Sequence, residues 1–560
     1  VQPAPTIPDL SRYRLALALG LFFLALAVRL VGIGWGLKND LHNQSYHPDE
    51  EVNWRASRAI EPLKLSFTPG FYSYGTLYLS TLRLASDFGG VFAPAQGEPA
   101  TDWAYIARGE VAGRLVSAVA GAGLVATLFW VGSSLFGAFG GLMAGLAVAF
   151  APGLVMHSRF ATVDVFGVFW IGLAMLAAVR LLSVGGEKSL WKWTLAAGAF
   201  SGLAAGTKYT GGLAVVMALV ALGWRRPVGW VTQAGVAVLT TIGVFVLSTP
   251  GILLDKEAFW RDFKFEQAHV ASGHGLVFVD TAPGFLYHWT NLFLVVSVVT
   301  VLLGLGGLVW GAVRREGWAF VVGSFFLLYF LVIGGAAVKF ARYCFPLVPA
   351  LALGAGYSVA EGLKMGRKGA WLVGAGMLGL AGIPGQGGMV GTVTVTSQMV
   401  GADPRDVAAR ALKEAADAAT TVGLPEDPWF WSPPLFPDST MVRMIPFRVR
   451  DELRRAATQP SVLQFVPENP NERSAWDSRL LSQLKPTYVA YSDLESFDLE
   501  RLHGTKVELP EDQTQTSAQF ETFMSELKAE YEQWKTIGPN SPLVEDLRYI
   551  CPTVYLWKRK

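Results

Sequence analysis

The sequence predicts a polytopic α-helical membrane protein with a soluble domain at its C-terminal end. Three observations carry that reading. Of the 560 residues, 52% are hydrophobic and only 16% are charged, with a mean hydropathy of +0.36, a balance outside the range of soluble globular chains. Long hydrophobic segments, suited to a bilayer core of roughly 30 Å, recur to about residue 385, and alternate ends of them carry the basic residues. From about residue 390 the composition shifts to that of a water-exposed domain.

The first segment, Leu15 to Trp35, follows Arg12 and Arg14 and lacks a small-residue cleavage pattern, so it reads as a retained anchor. Further segments lie at about 113–134, 138–155, 165–182, 193–206, 212–223, 231–248, 292–311, 318–334, 345–362 and 370–385, which makes eleven. Arg12/Arg14, Lys188/Lys192, Arg225/Arg226, Arg314/Arg315 and Lys364/Arg367/Lys368 mark the inner ends. The positive-inside rule then puts the N-terminus in the cytoplasm and the C-terminal domain outside a cytoplasmic (inner) membrane. Residues 71–90 are apolar as well, but a span there would turn every later basic cluster outward. They read as an interfacial or re-entrant helix within a first outer loop of about 36–112, with Tyr72, Tyr74 and Tyr78 at headgroup level.

The chain therefore divides into a transmembrane domain, 1–389, with a second outer loop at 249–291, and an extracytoplasmic domain, 390–560. A helix-like run from Asp406 to Ala419, a stretch PEDPWFWSPPLFPD, and strand-like runs TYVAY (487–491) and TVYLW (553–557) predict an α/β character there. The net charge of +2 gives no cue to a nucleic acid, and Cys344 and Cys551 form neither a disulfide framework nor a metal-ligand spacing.

Function is read from charges that break the membrane pattern. His47-Pro48-Asp49-Glu50 follows the first span, and Glu51 extends the acids to three. Arg114 opens the second span, Arg159 and Asp164 lie in HSRFATVD, Lys208 in GTKYTG, and Lys339 and Arg342 in KFARYCFP. A cation at membrane depth costs roughly 2.5–3.5 kcal/mol, so it is paired or functional. Pairs such as Arg159 with Asp164, or Arg342 with Glu50, satisfy charges one at a time. Several cations and three or more acids at one face point instead to an anion site, best suited to a phosphate-bearing lipid headgroup.

HPDE, SRFATVD, GTKYTG and KFARYCFPLVPAL, in that order, resemble the GT-C superfamily of membrane glycosyltransferases, in its protein O-mannosyltransferase and aminoarabinose transferase branch. TPGILLDKEAFWRDF (249–263), leading to GHG (273–275), is similar to a loop of that branch, and the resemblance spans about residues 11–365. It implies a GT-C-like fold, a polyprenyl-phosphate-linked sugar as donor, and inverting transfer to an acceptor hydroxyl outside the membrane. By motif, Asp49 is the general base with Glu50 beside it, and Asp164 is the second acid. Lys208, Lys339 and Arg342, with Arg114 and Arg159, hold the donor phosphate. His47, Glu51, Tyr209, Tyr343 and His274 are accessory or acceptor-side residues. No cofactor is implied, and a divalent metal on His47 and Asp49 is the lesser alternative to a hydrogen-bonding histidine. The acceptor is a protein, lipid or polysaccharide hydroxyl, which one carboxylate base serves equally. The rival reading is a transporter or lipid flippase, against which stand the lack of a duplicated half and the gathering of acids at one face. A third is a glycan-binding subunit, with Trp429 and Trp431 stacked on sugar rings.

Overall fold

The computed structural model describes residues 11–560 apart from 100, 386, 418, 436–461, 465–474, 506, 508, 510 and 540–547. The helices that frame the site are α1 (Arg14–Leu30), α2 (Pro48–Arg58), α3 (Leu77–Phe92), α4 (Trp103–Phe136), α5 (Val163–Leu181), α6 (Glu187–Thr207), α7 (Trp230–Ser248) and α8 (Lys256–Ser272). After them come α9 (Gly284–Val295), α10 (Val298–Val313), α11 (Gly317–Gly334), α12 (Val348–Lys364), α13 (Gly388–Val400) and α14 (Pro404–Ala415).

Among the described residues five helical stretches are long and apolar enough to cross a bilayer: α4, α5, α7, α11 and Ala341–Lys364, which ends in α12. The pair α9–α10, bent by 114°, makes a sixth if it is one span. The expected count of eleven is not reached on this measure, because several hydrophobic segments fold as shorter pieces. Segment 138–155 becomes Ala138–Ala149 and Pro152–His157, since Pro152 suits the first position of a new helix. Segment 292–311 breaks at Val296–Ser297. There Ser297 Oγ accepts from Thr300 N at 3.1 Å, capping α10, and donates to Gly379 O at 2.9 Å.

One face of α4 organises this half of the molecule. Gly109, Gly113, Ser117 and Gly121 recur every fourth residue, a stripe of small residues that lets other elements approach the backbone. A Cβ on Gly109 would lie 2.1 Å from the Trp54 indole nitrogen, one on Gly113 2.7 Å from the Ala161 methyl, and one on Gly121 2.6 Å from Arg29 Nε. At 34 residues, α4 is about 51 Å long, well beyond the bilayer core. Helix α3 docks on the excess length. It starts beside the end of α7, where Thr76 N donates to Thr249 Oγ1 at 3.2 Å. It then runs antiparallel to α4, from Tyr78 against Gly113 to Gly90 against Tyr105. Within the stretch 71–90 the helix therefore begins at Leu77 and lies along α4.

The C-terminal region holds a mixed five-stranded sheet in the order β2-β1-β3-β5-β4: β1 (Thr421–Gly423), β2 (Val462–Gln464), β3 (Tyr488–Ser492), β4 (Tyr531–Ile537) and β5 (Val554–Arg559). β2, β1 and β3 are parallel, and β5 is antiparallel to both β3 and β4. The runs TYVAY and TVYLW become the adjoining strands β3 and β5, and the stretch PEDPWFWSPPLFPD passes at residue 436 outside the described residues. Two further helices, α15 (Asp493–Leu502) and α16 (Glu511–Glu530), flank the sheet. The region is clasped to the loops of the site face. Trp35 Nε1 donates to Ile550 O at 3.0 Å, Tyr46 Oη to Asp406 at 2.5 Å, and Arg501 to the carbonyls of Val279 and Leu276 at 2.8 and 3.1 Å. Arg405 lies 3.7 Å above the Tyr46 ring.

A buried ion pair ties these parts together. Arg114 gives Nε and Nη2 to the two Glu50 oxygens at 2.8 and 2.5 Å, and its Nη1 to the carbonyls of Ile33 and Trp35 at 2.6 and 2.7 Å. Glu50 also accepts from Ser45 Oγ at 2.5 Å and from Ala161 N at 2.7 Å. Both side chains are inaccessible to solvent. Burial, the largest single influence, would raise the Glu50 carboxyl; the Arg114 charge and hydrogen bonds, with His47 and Ser45, together outweigh it and hold the group below the usual carboxylate range. Its stabilising contribution is then full above the ordinary carboxylate pKa and is lost as pH falls through the lowered value. Replacing Glu50 by Gln leaves a buried guanidinium without a counter-charge, a change worth about 3–5 kcal/mol. Thermal unfolding in detergent should show a lowered midpoint at pH 7, and the gap to wild type should narrow on acidification.

Candidate active site

Helix α2 begins at the membrane-proximal end of the loop after α1. His47 is its N-cap, with Nδ1 accepting from Asp49 N at 3.2 Å and Pro48 in the first turn. Acids suit this end of a helix, where the backbone N–H groups point. Each of the three has its own surroundings. Glu50 faces Arg114; Glu51 accepts from Arg55 Nε at 2.6 Å and from the Gln44 amide. Asp49 is half-buried and lies within electrostatic reach of His47, Tyr74 and His274. His47 is buried against Phe160 and Tyr549, with ring centroids 4.5 and 5.4 Å apart. Burial lowers its pKa despite Asp49 and Glu50, so the ring is neutral at pH 7.

Beside it a small pocket opens between α5, α6 and the segment before α12. Asp164, Lys208, Thr210, Tyr329 and Arg342 make its polar part, and Gly167, Val168, Ile171 and Pro346 its apolar floor. Asp164 starts α5 and Lys208 follows the last turn of α6, and they form an ion pair at 2.7 Å. The Lys208 ammonium also lies 4.9 Å from the Tyr343 ring centre. Arg342 packs on Phe340 at 4.1 Å and is within electrostatic reach of Asp164, His157, His47, Tyr74 and His274. Asp49, Asp164, Lys208 and Arg342 thus share one neighbourhood. Burial, then His269 and Arg342, push the His274 imidazole down to about 4, so it too is neutral at pH 7.

The other three cations stand elsewhere with partners of their own. Arg114 serves the Glu50 pair. Arg159 donates to Val28 O at 2.9 Å and Thr396 Oγ1 at 2.7 Å, between α1 and α13, and Asp164 takes Lys208 as partner. Lys339 donates to Thr281 Oγ1 and Ala282 O at 2.7 and 2.9 Å and fixes the loop after α8. Tyr209 points its hydroxyl at the carbonyls of Tyr72 and Tyr74, 2.7 and 3.1 Å away, pinning the approach to α3. Two residues absent from the sequence reading of the site join it. Tyr74 lies in the field of Asp49, Arg342, Asp164 and Glu266, and Glu266 on α8 also reaches Tyr209 and Tyr343. The signal for Glu266 was its i, i+4 placement with Asp262 on one face of α8; none marks Tyr74. Among the described residues no three His, Cys, Asp or Glu side chains are grouped for a metal, and His47 Nδ1 is already engaged with the Asp49 amide.

Residues 82–247 match the family model described as dolichyl-phosphate-mannose-protein mannosyltransferase. The stretch contains Arg114, Arg159, Asp164 and Lys208 and stops short of Asp49 and Arg342 on either side. No curated protein matches the chain. Among solved structures, apo ArnT from Cupriavidus metallidurans is similar at 14% identity, covering 98% of this chain and 97% of that one, with a TM-score of 0.48. The oligosaccharyltransferase AglB from Archaeoglobus fulgidus, in complex with an inhibitory peptide and a dolichol-phosphate, is similar at 12% identity over 97% of this chain and 77% of its own, TM-score 0.48. The arabinofuranosyltransferase AftD from Mycobacteria gives 11% identity, 99% and 40% coverage, and a TM-score of 0.43.

The Asp164–Lys208 pair is testable by a double-mutant cycle on thermal stability. Asp164→Asn and Lys208→Met should each destabilise, and the double variant should lose less than their sum by about 1–3 kcal/mol. Strict additivity would show that the two groups do not interact.

Proposed function

We propose that this chain is an integral-membrane glycosyltransferase. It moves a sugar from a polyprenyl-phosphate donor to an acceptor hydroxyl at the face that carries Asp49. The observation that carries the reading is the cavity: two cations, Lys208 and Arg342, at its polar part, an apolar floor within membrane-spanning helices, and Asp49 within the same electrostatic neighbourhood. The match of residues 82–247 to a family described by a dolichyl-phosphate-mannose donor supports it and makes mannose the first sugar to try.

The chemistry follows from that division of charge. The acceptor oxygen attacks the anomeric carbon from the side opposite the phosphate, and the configuration inverts. Asp49 takes the acceptor proton. The bond from carbon to phosphate oxygen breaks, its electron pair stays with the phosphate, and Lys208 and Arg342 offset the charge that develops there. Asp164 positions Lys208. In this scheme Glu50 and Arg114 are the brace behind Asp49, while Arg159 and Lys339 hold α13 and the loop after α8. The alternation of basic residues supports a site outside a cytoplasmic membrane, with the C-terminal region on the same side.

Release of label from radiolabelled polyprenyl-phosphate mannose, glucose and arabinose, in nanodiscs with crude membrane extract as acceptor source, tests the reading. Wild type should turn over one donor, and Asp49→Asn should be slower by about 10²–10⁴-fold with donor binding retained. Lys208→Ala and Arg342→Ala should weaken donor binding itself. Full activity of Asp49→Asn would remove the base from the scheme, and passage of intact donor across the membrane without release would favour the flippase.

A further inference from the structure

Helix α8 has two unlike faces. On the inner one Phe259 is 2% exposed, and Phe259 and Phe263 pack on Tyr209 with centroids 6.0 and 5.1 Å apart. Asp262 accepts from Tyr72 N at 2.8 Å on the same side. The outer face presents Trp260 at 47% and Phe265 at 65% exposure, among the exposed charges of Lys256, Glu257, Arg261 and Lys264. The acids Asp262 and Glu266 turn inward, so the cations outnumber the acids on the outer face.

This apolar exposure continues a membrane-facing surface. Leu253 and Leu254, 57% and 72% exposed, precede α8, and Leu239, Ile242 and Leu247 carry the strip along α7 at 69%, 53% and 81%. Helix α7 is itself long and apolar enough to cross a bilayer, with only 17% of that window buried inside the protein. An apolar strip running from such a helix onto a Trp-bearing, basic, amphipathic one is the pattern of a helix lying in the headgroup layer.

We propose that α8 docks on the bilayer surface of the leaflet at the site face. Trp260 and Phe265 sit at the acyl boundary, and Lys256 and Lys264 meet the phosphates of anionic phospholipids. The inner face then holds Tyr72 and Tyr209, so the bilayer surface fixes the approach to α3. The inference rests on the membrane reading of α7 and is independent of the reaction proposed above.

The test uses the full chain in nanodiscs and the emission of Trp260 alone, obtained as wild type minus Trp260→Phe. Phosphatidylglycerol brominated near the glycerol should quench about half or more of that difference signal, while acrylamide in the water should quench little. Phe265→Trp in the Trp260→Phe background should restore a lipid-quenched signal. Lys256→Glu with Lys264→Glu should erase the advantage of phosphatidylglycerol over phosphatidylcholine. A Trp260 signal quenched by acrylamide and untouched by either brominated lipid would overturn the proposal. An unchanged lipid preference in the double lysine variant would overturn its anionic part.

Discussion

The rest of the structure depends on one buried ion pair. A guanidinium and a carboxylate withdrawn from water each carry a desolvation penalty of several kcal/mol, which is offset only when nearly every donor and acceptor is matched. Arg114 and Glu50 meet that condition by recruiting the carbonyls of Ile33 and Trp35, the Ser45 hydroxyl and the Ala161 amide. In doing so they join four separate pieces of chain: the exit of α1, the start of α2, the body of α4 and the turn ahead of α5. Asp49 is the residue before Glu50, and Asp164 comes three residues after Ala161. The pair therefore helps fix how the two carboxylates of the proposed site, Asp49 and Asp164, stand relative to each other.

The small-residue stripe of α4 is what lets the pair form. With side chains at Gly109, Gly113 and Gly121, Trp54, Ala161 and Arg29 would be pushed off the helix, and the turn bearing Ala161 would no longer reach Glu50. Packing and electrostatics here form one device. Around it the C-terminal region and the loop after α8 close the face from the other side, through Trp35, Tyr46 and Arg501. The candidate site itself combines Lys208 and Arg342 with the apolar side chains of Val168, Ile171 and Pro346.

Much of this was legible in the sequence. The motifs SRFATVD, GTKYTG and KFARYCFP each bring a residue to one pocket, and HPDE lies in the same electrostatic neighbourhood, because charges set against a hydrophobic background stand out at membrane depth. What sequence order left open was the sorting within each motif. Nothing in HPDEE distinguishes the half-buried Asp49 from the fully buried acid that faces Arg114. The difference is set by a helix register and by a partner 64 residues away. Arg114, Arg159 and Lys339 stand out in the sequence for the same reason, but their partners, the Glu50 carboxylate for Arg114 and carbonyls and hydroxyls for the other two, are ones no pattern encodes. The break before α10 was equally hidden, since it depends on Ser297 finding Thr300 and Gly379, and hydropathy alone reads the segment as continuous. Tyr74 and Glu266 join the site because loops converge on it.

The most direct test is an experimental structure with undecaprenyl phosphate bound. Its phosphate should lie within hydrogen-bonding distance of Lys208 and Arg342, with its first isoprene units against Val168 and Ile171 and Asp49 facing the open side of the phosphate. A phosphate held instead by Arg159 or Lys339, or one shut off from Asp49 by protein, would contradict that placement.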